Sequence, residues 1–181
     1  MVWLLSGIGL VVLGLVVLFN RLVRARTHVR RAWAQVDTQL QRRHDLVPNL
    51  VATVAGYVEH ERPLLDAVTE ARAAALRVED PVARRDAEDQ LSAALGRLLV
   101  IDEAYPALKA DGVFAALQTE LRDTEDRLAF ARGFANSRVA RYRTLIDTMP
   151  GMLLARPLGF PREALFALEH ERARHRPAVE L

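Results

Sequence analysis

The chain opens with an unbroken apolar run. Residues 1–19 contain no charged side chain, and Ser6 is the one polar residue among them. About 20 apolar residues are needed to cross a bilayer core about 30 Å thick as a helix. The pattern therefore predicts a transmembrane anchor over residues 1–20. Its apolar residues include Val2, Trp3, Leu10, Leu15 and Phe19.

A cleaved signal peptide is the competing interpretation of this run. Such a peptide has a basic start, a shorter apolar core and a small-residue cleavage site. Here Met1-Val2-Trp3 leads directly into the apolar residues, and Phe19-Asn20-Arg21-Leu22 follows them without a small-x-small pattern. We therefore expect an uncleaved, single-pass anchor.

Arginines follow the anchor directly. Only the terminal amine precedes the apolar run, and no acidic residue follows it before Asp37. Basic flanks stay on the cytoplasmic side, so we expect the N-terminus outside and the long C-terminal part in the cytoplasm. The juxtamembrane position favours contact with anionic lipid over nucleic-acid binding. The flanking residues are Arg21, Arg24, Arg26, Arg30 and Arg31.

Beyond the anchor, apolar residues recur every three or four positions, which is the period of an amphipathic helix. The first helix is expected over about 21–58, with one step of seven residues at His44. Pro48 interrupts its hydrogen-bond ladder, so a kink or a short break is expected there. A kink is favoured because the apolar pattern continues on both sides. The pattern comprises Trp33, Val36, Leu40, Val47, Leu50, Val54 and Val58.

Three further helices complete an all-α fold. One begins at Pro63 and stops before Asp80, and the next is capped by Asp80 and closed by Tyr105-Pro106. Asp111 is the expected cap of a second long helix that ends at Pro150-Gly151. Short connections make neighbouring helices antiparallel, which predicts an up-and-down four-helix bundle over 21–150. Its inward positions are expected at Leu64 or Leu65, Val68, Ala71, Ala75, Leu91, Leu95, Leu98, Ile101 or Asp102, Phe114, Leu117, Leu121, Thr124, Leu128, Ala131, Ala135, Arg138 or Val139, Tyr142, Leu145 and Met149.

The charges divide into three zones. Residues 20–58 carry seven Arg and two Asp, residues 59–126 carry eight basic and sixteen acidic side chains, and residues 127–181 carry ten Arg and five acids. The sequence therefore has an acidic middle between two basic ends. These charges largely cancel, so the formal net charge is only +2. We expect the basic zones near the membrane. After the bundle, residues 151–168 are expected to dock at its membrane end, with the bilayer surface as the alternative, and residues 169–181 are expected to form a polar tail.

The sequence offers little catalytic chemistry. Cysteine is absent, which excludes thiolate metal sites, disulfides and cysteine nucleophiles. No Glu-x-x-His pair, phosphate-binding glycine loop or Gly-x-Ser-x-Gly elbow occurs. His60, between Glu59 and Glu61, is better explained as a residue at a helix end than as a metal ligand. We therefore expect neither an enzyme nor a cofactor.

One polar group remains beside Pro48. Arg43 and Asp45 flank the skipped apolar position, so a buried polar layer is expected there, with Asn49 bonding backbone groups that Pro48 releases. Such layers commonly specify register. The alternative is that the kink forms a notch that binds a partner.

The stretch from Gln41 to Val51, continuing from Gly56 to Glu61, resembles the LemA family of bacterial membrane-anchored proteins. Further matches lie at 68–72, 105–110, 117–132 and 150–160. The resemblance implies an N-terminal transmembrane helix in the bacterial inner membrane, a cytosolic four-helix bundle and no established activity. Unknown protein partners are implied, including a membrane-associated peptidase or a second copy of the chain. The signature residues are Arg43, Asp45, Leu46, Pro48, Asn49, Gly56, Tyr57, His60 and Glu61.

These observations favour a non-enzymatic membrane scaffold. Its N-terminal helix anchors it in the lipid bilayer, and its cytosolic bundle presents an acidic surface to protein partners. No nucleic-acid partner is expected. A transmembrane signal transducer and a membrane-remodelling oligomer are the alternatives.

Overall fold

The computed structural model describes residues 2–58, 60–78 and 80–162. Within these ranges the chain is helical and contains no strand, which confirms the all-α class. The predicted tail at 169–181 and the end of the 151–168 segment lie outside the described residues. The helices are α1 (Val2–Ala55), α2 (Arg62–Arg77), α3 (Pro81–Leu99), α4 (Pro106–Lys109), α5 (Gly112–Asp147) and α6 (Gly151–Ala155), with a 3-10 turn at Ile101–Glu103.

Helix α1 is a single helix of 54 residues that contains Pro48. A short break at Pro48 is therefore wrong, while a kink stays a prediction. The apolar run lies in the first part of α1, and its most apolar window is long enough to cross a membrane and has none of its residues buried in the protein.

The expected helix starts are confirmed by cap geometry. Asp80 accepts the backbone N–H of Ala83 at 2.8 Å, and Asp111 accepts that of Phe114 at 2.7 Å. Both carboxylates satisfy a donor that the first turn of a helix leaves free. Pro63 lies in the first turn of α2 as expected. Two helix ends differ from prediction: α3 ends at Leu99 before the 3-10 turn and α4, and α5 ends at Asp147.

The chain divides into two compact units. Unit 1 comprises Met1–Val36 and Phe130–Leu181, and unit 2 comprises Asp37–Ala129. Parts of α1 and α5 belong to each unit. The boundaries expected at residues 20, 150 and 168 stay predictions.

Unit 2 has a core to which α1, α2, α3 and α5 all contribute. The periodic pattern placed most of these residues correctly, because a helix that packs on one side returns to the same face every three or four residues. Leu64, Ala71 and Leu117 are only partly buried at its edge. The buried core residues include Val47, Leu50, Val54, Val58, Leu65, Val68, Leu91, Leu95, Leu98, Ile101, Phe114 and Leu121.

Unit 1 has its own core, and here the pattern needs correction. Val139 and Ile146 are buried, whereas Arg138 and Leu145 are only partly buried and Met149 is 65% exposed. A straight α-helix drifts by about 20° per heptad against a strict seven-residue repeat, so the buried face moves on by one residue along α5. The buried core residues are Leu22, Val29, Val139, Tyr142, Ile146 and Ala155.

Candidate functional site

A group of buried polar side chains lies inside unit 2. Arg43 and His44 of α1 fill the position between Leu40 and Val47 on the buried face, and Glu88 of α3 lies one turn before Leu91. Arg43, His44 and Glu88 are 0%, 2% and 0% exposed. The Arg43 guanidinium donates from Nη2 to Glu88 Oε2, and Glu88 Oε1 lies 2.9 Å from His44 Nε2.

Further contacts extend this group to α5. Arg43 Nη1 donates to Ser92 Oγ at 2.7 Å and to Glu125 Oε1 at 2.8 Å. The Ser92 hydroxyl in turn donates to the Glu88 carbonyl at 3.1 Å. One guanidinium therefore joins α1 to both α3 and α5. We call these residues the Arg43 cluster: Arg43, His44, Glu88, Ser92 and Glu125.

Pro48 explains a further contact, this time with α2. In an α-helix the N–H of residue 48 would donate to the carbonyl of His44, but proline has no N–H. Arg72 of α2 supplies the missing donor, since its Nε lies 2.8 Å from the His44 carbonyl oxygen. The residue expected to meet the released backbone was Asn49, which is exposed. Arg72 takes that role because it approaches from the buried side.

The electrostatics of the cluster favour an ionised Glu88. Burial raises the pKa of this carboxyl, but the hydrogen bond from His44 and the charge of Arg43 outweigh burial, so its pKa lies below the ordinary value. Desolvation and ion pairing thus oppose each other, and pairing wins. Among the described residues, His44 Nδ1 and Arg43 Nε are buried without a hydrogen-bond partner.

This arrangement is suited to holding helices together. The Ser92 hydroxyl donates to a backbone carbonyl and not to the imidazole, so serine and histidine do not form a nucleophile–base pair. The Arg43 guanidinium is matched by carboxylates on two other helices, Glu88 of α3 and Glu125 of α5. Such a layer is stable in one register, because sliding α1 along α3 would leave a buried charge without its partner.

The predicted polar layer is therefore only partly correct. Arg43 belongs to it, but Asp45 is exposed and accepts a hydrogen bond from Gln41 Nε2 at 2.9 Å. Two residues correspond to a rotation of about 200° around a helix, so Arg43 and Asp45 face opposite sides. Leu46 packs at the edge of the core, and Pro48 is exposed.

The rest of the signature lies at the end of α1. Tyr57 donates its hydroxyl to Asp111 Oδ2 at 2.6 Å, while Asp111 Oδ1 caps α5. The tyrosine hydrogen bond lowers the pKa of Asp111 and raises that of Tyr57. Gly56 and His60 are exposed, and Glu61 precedes α2 and is partly exposed. The signature thus divides between the Arg43 cluster and this helix end.

Four residues of this site were not predicted from the sequence: Glu88, Ser92, Glu125 and Arg72. The burial of Glu88 could have been predicted from its spacing. It precedes Leu91 by three residues and Leu95 by seven, so it is an acidic residue on a helix face predicted to be apolar. The role of Arg72 could not have been predicted in this way, because its partner is the backbone carbonyl of His44 and not a side chain.

The predicted anchor residues are exposed. Trp3 and Leu10 are 90% and 75% exposed, while Leu15 and Phe19 are 46% and 41% exposed. The structure does not describe the side chain of Val2. In the flank Arg26 is partly buried, whereas Arg21, Arg24, Arg30 and Arg31 are exposed.

Metal ligands do not gather in the described part of the chain. No group of three His, Asp or Glu side chains there could hold an ion.

Comparisons with known proteins match this chain to a family and to particular relatives. The sequence model of the LemA family matches residues 32–181. Magnetosome protein MamQ of Magnetospirillum gryphiswaldense is 38% identical over 73 residues, which are 40% of this chain and 27% of that protein. Magnetosome protein MamQ 2 of Paramagnetospirillum magneticum is 34% identical over 73 residues, with the same coverage. The match spans about a quarter of the length of these curated relatives. With the exposed apolar helix, these findings indicate a membrane-associated helical protein.

Proposed function

Because this chain belongs to the LemA family, we propose that it is a non-enzymatic, single-pass membrane scaffold with a helical bundle on the cytoplasmic side. The observation that carries the proposal is the apolar run of α1, in which every described side chain except the half-buried Leu18 is exposed. An exposed apolar helix of this length is costly in water and stable in a bilayer core. The arginines that follow it support a cytoplasmic bundle.

The contacts within unit 2 support the up-and-down bundle as its arrangement. Arg42 of α1 pairs with Glu120 of α5 at 2.7 Å. Tyr57, two residues after the end of α1, bonds to Asp111, the residue before α5. Residue numbers increase along α1 as they decrease along α5, which is the order expected for antiparallel neighbours. Helices α2 and α3 are joined by a connection of only three residues, which also favours antiparallel packing.

The bundle presents an acidic surface. Asp66 and Glu70 are exposed one turn apart on α2, and Asp86 and Asp89 are exposed three residues apart on α3. We call these four residues the α2–α3 acidic surface. A partner with a basic surface fits this charge, since complementary potentials speed association and disfavour other partners.

Crosslinking in living cells, followed by mass spectrometry, tests the scaffold. The full chain is compared with the D66K/E70K/D86K/D89K variant, and D123K/D126K on α5 is the matched control because both of its aspartates are exposed. We expect crosslinks to a second protein in the wild type and the control, and their loss in the four-residue variant.

Two results would contradict the proposal. One is an unchanged set of crosslinks after reversal of the α2–α3 acidic surface. The other is a hydrolase turnover by the purified protein that a single substitution in the bundle abolishes.

Signal transduction is a second candidate, because α1 continues from the apolar run into unit 2 as one helix. It predicts a ligand-dependent change in the distance between spin labels placed on either side of Pro48. A distance that stays constant with every candidate ligand would favour the scaffold.

A further inference from the structure

The last described part of unit 1 folds back on α5. Tyr142 donates its hydroxyl to the Pro161 carbonyl at 2.9 Å, and Arg162 bonds to both carboxylate oxygens of Asp147 at 3.2 and 2.6 Å. Gly151 allows the close approach this requires, because a Cβ there would collide with the Leu145 carbonyl. Residues 149–160, which we call the C-terminal segment, are thereby held against α5.

A Schellman motif ends the turn that follows α6. The Phe160 N–H bonds to the Ala155 carbonyl at 3.0 Å and the Gly159 N–H to the Arg156 carbonyl at 3.3 Å. Gly159 has a φ of 69°, the left-handed conformation that this motif requires and that glycine adopts without strain. The reversal sets the direction in which Phe160 leaves the turn.

One side of the C-terminal segment packs on the end of the apolar run. The Phe160 ring meets the Phe19 ring edge-on, with centroids 6.0 Å apart. Ala155 is buried in the core of unit 1, and Leu154 packs against it. Phe19 is the last residue of the apolar run, so this contact places the segment where the predicted span ends.

The other side of the segment is apolar and exposed. Met149, Met152, Leu153 and Leu158 are 65%, 42%, 60% and 49% exposed. Val23 of α1, one turn beyond Phe19, is 39% exposed. Exposed apolar groups that cluster in this way mark a membrane or a protein contact.

We propose that the C-terminal segment is a second membrane contact, which enters the headgroup region of the leaflet where α1 leaves the bilayer. The proposal rests on the membrane anchor of the proposed function. Continuity with the apolar run supports it, since the Phe19–Phe160 contact joins the two apolar surfaces. Side chains such as leucine and methionine gain free energy when they leave water at the boundary of headgroups and acyl chains.

The surrounding charges favour anionic lipid as the occupant. Arg156 is exposed within the segment, and Arg21 and Arg24 are exposed in the first turns after Phe19. Arginine can bury its methylene groups in apolar surroundings while its guanidinium meets phosphate. A second copy of the chain fits less well, because a symmetric contact through this patch would bring the same arginines together.

Depth-dependent fluorescence quenching tests the proposal on the full chain. The sequence contains no cysteine, so L153C, M152C, V113C and L10C each accept one fluorophore. Val113 on α5 is the matched control because it is apolar and, like Leu153, 60% exposed. The labelled proteins are reconstituted in vesicles of phosphatidylethanolamine and phosphatidylglycerol that contain lipids with nitroxides at shallow or deep positions.

We expect shallow nitroxides to quench the labels at positions 153 and 152 several-fold more than the label at position 113, and deep nitroxides to quench the label at position 10. Quenching at 153 and 152 no stronger than at 113, with position 10 still quenched, would overturn this inference and leave the anchor intact. Loss of quenching at position 10 as well would overturn both. Self-quenching of the 153 label that rises with the protein-to-lipid ratio, without lipid quenching, would identify a second copy as the occupant and also overturn the inference.

Discussion

At the residue scale, the central feature is the buried carboxylate of Glu88, which is stabilised in the core by the neighbouring Arg43 guanidinium. Glu88 and Arg43 are both fully buried, and the pKa of Glu88 is lowered despite burial. Removing one member of a buried pair costs far more than removing one member of an exposed pair, because the remaining charge is left without compensation in a medium of low polarity. The chain contains both kinds of pair on adjacent residues, Arg43 and Arg42.

Glu88→Gln should therefore destabilise the protein by about 3 kcal/mol, near the lower limit for a buried pair because Glu125 still contacts Arg43. The matched control is Glu120→Gln, since Glu120 and its partner Arg42 are each 43% exposed. That change should cost less than about 1 kcal/mol. Denaturant titration of the full chain in mild detergent, followed by circular dichroism, measures both. Equal losses for the two variants would refute a dominant role for the Arg43–Glu88 pair.

The same carboxylate gives stability a pH dependence. Because the folded pKa of Glu88 lies below the ordinary value of about 4.3, the unfolded chain takes up its proton first as the pH falls. This contribution is complete above about pH 4.3 and is lost as the pH falls through the lower folded value. The stability difference between wild type and Glu88→Gln should therefore shrink over that range. A difference that stays constant on acidification would contradict the lowered pKa.

At the scale of elements, Pro48 makes α1 depend on α2. The proline leaves the His44 carbonyl without its helical donor, and Arg72 supplies one from another helix. By itself, a proline inside a helix weakens that helix. Here the carbonyl that Pro48 leaves free is bonded by Arg72, so the same position joins α1 to α2.

Two substitutions test this attachment as a pair. Arg72→Met should cost about 1–3 kcal/mol, because the His44 carbonyl loses its donor. The same change should cost less in a Pro48→Ala background, where residue 48 regains an N–H that bonds to the carbonyl. Denaturant titrations of the single and double variants give the coupling between the two sites. Additive effects would show that Arg72 does not compensate for Pro48.

The helices also show which features of the fold could be predicted from the sequence pattern. Spacing and caps predicted the faces of the helices and the starts at Asp80 and Asp111, because these depend on neighbours within a few residues. The partners of Arg43 and of the His44 carbonyl could not be predicted, since they depend on which turns of different helices meet. Leu145 was assigned to the core by a strict heptad repeat, which a straight α-helix does not follow over this length. Met149 was assigned to the same face, but α5 ends at Asp147, before Met149.

At the scale of the whole molecule, the chain combines an apolar run, a basic flank and an acidic middle. The net charge of +2 conceals basic ends and a middle zone with twice as many acids as bases. In the proposed orientation, the basic flank lies against the cytoplasmic leaflet and the α2–α3 acidic surface faces the cytoplasm.

Labelling of single cysteines in spheroplasts tests that orientation most directly. The sequence contains no cysteine, so V2C reports the start of the chain and T119C an exposed position of unit 2. A maleimide that does not cross membranes should label V2C in intact spheroplasts, and T119C only after permeabilisation. Labelling of T119C in intact spheroplasts, or recovery of the protein in the soluble fraction, would contradict a membrane-anchored scaffold with a cytoplasmic bundle.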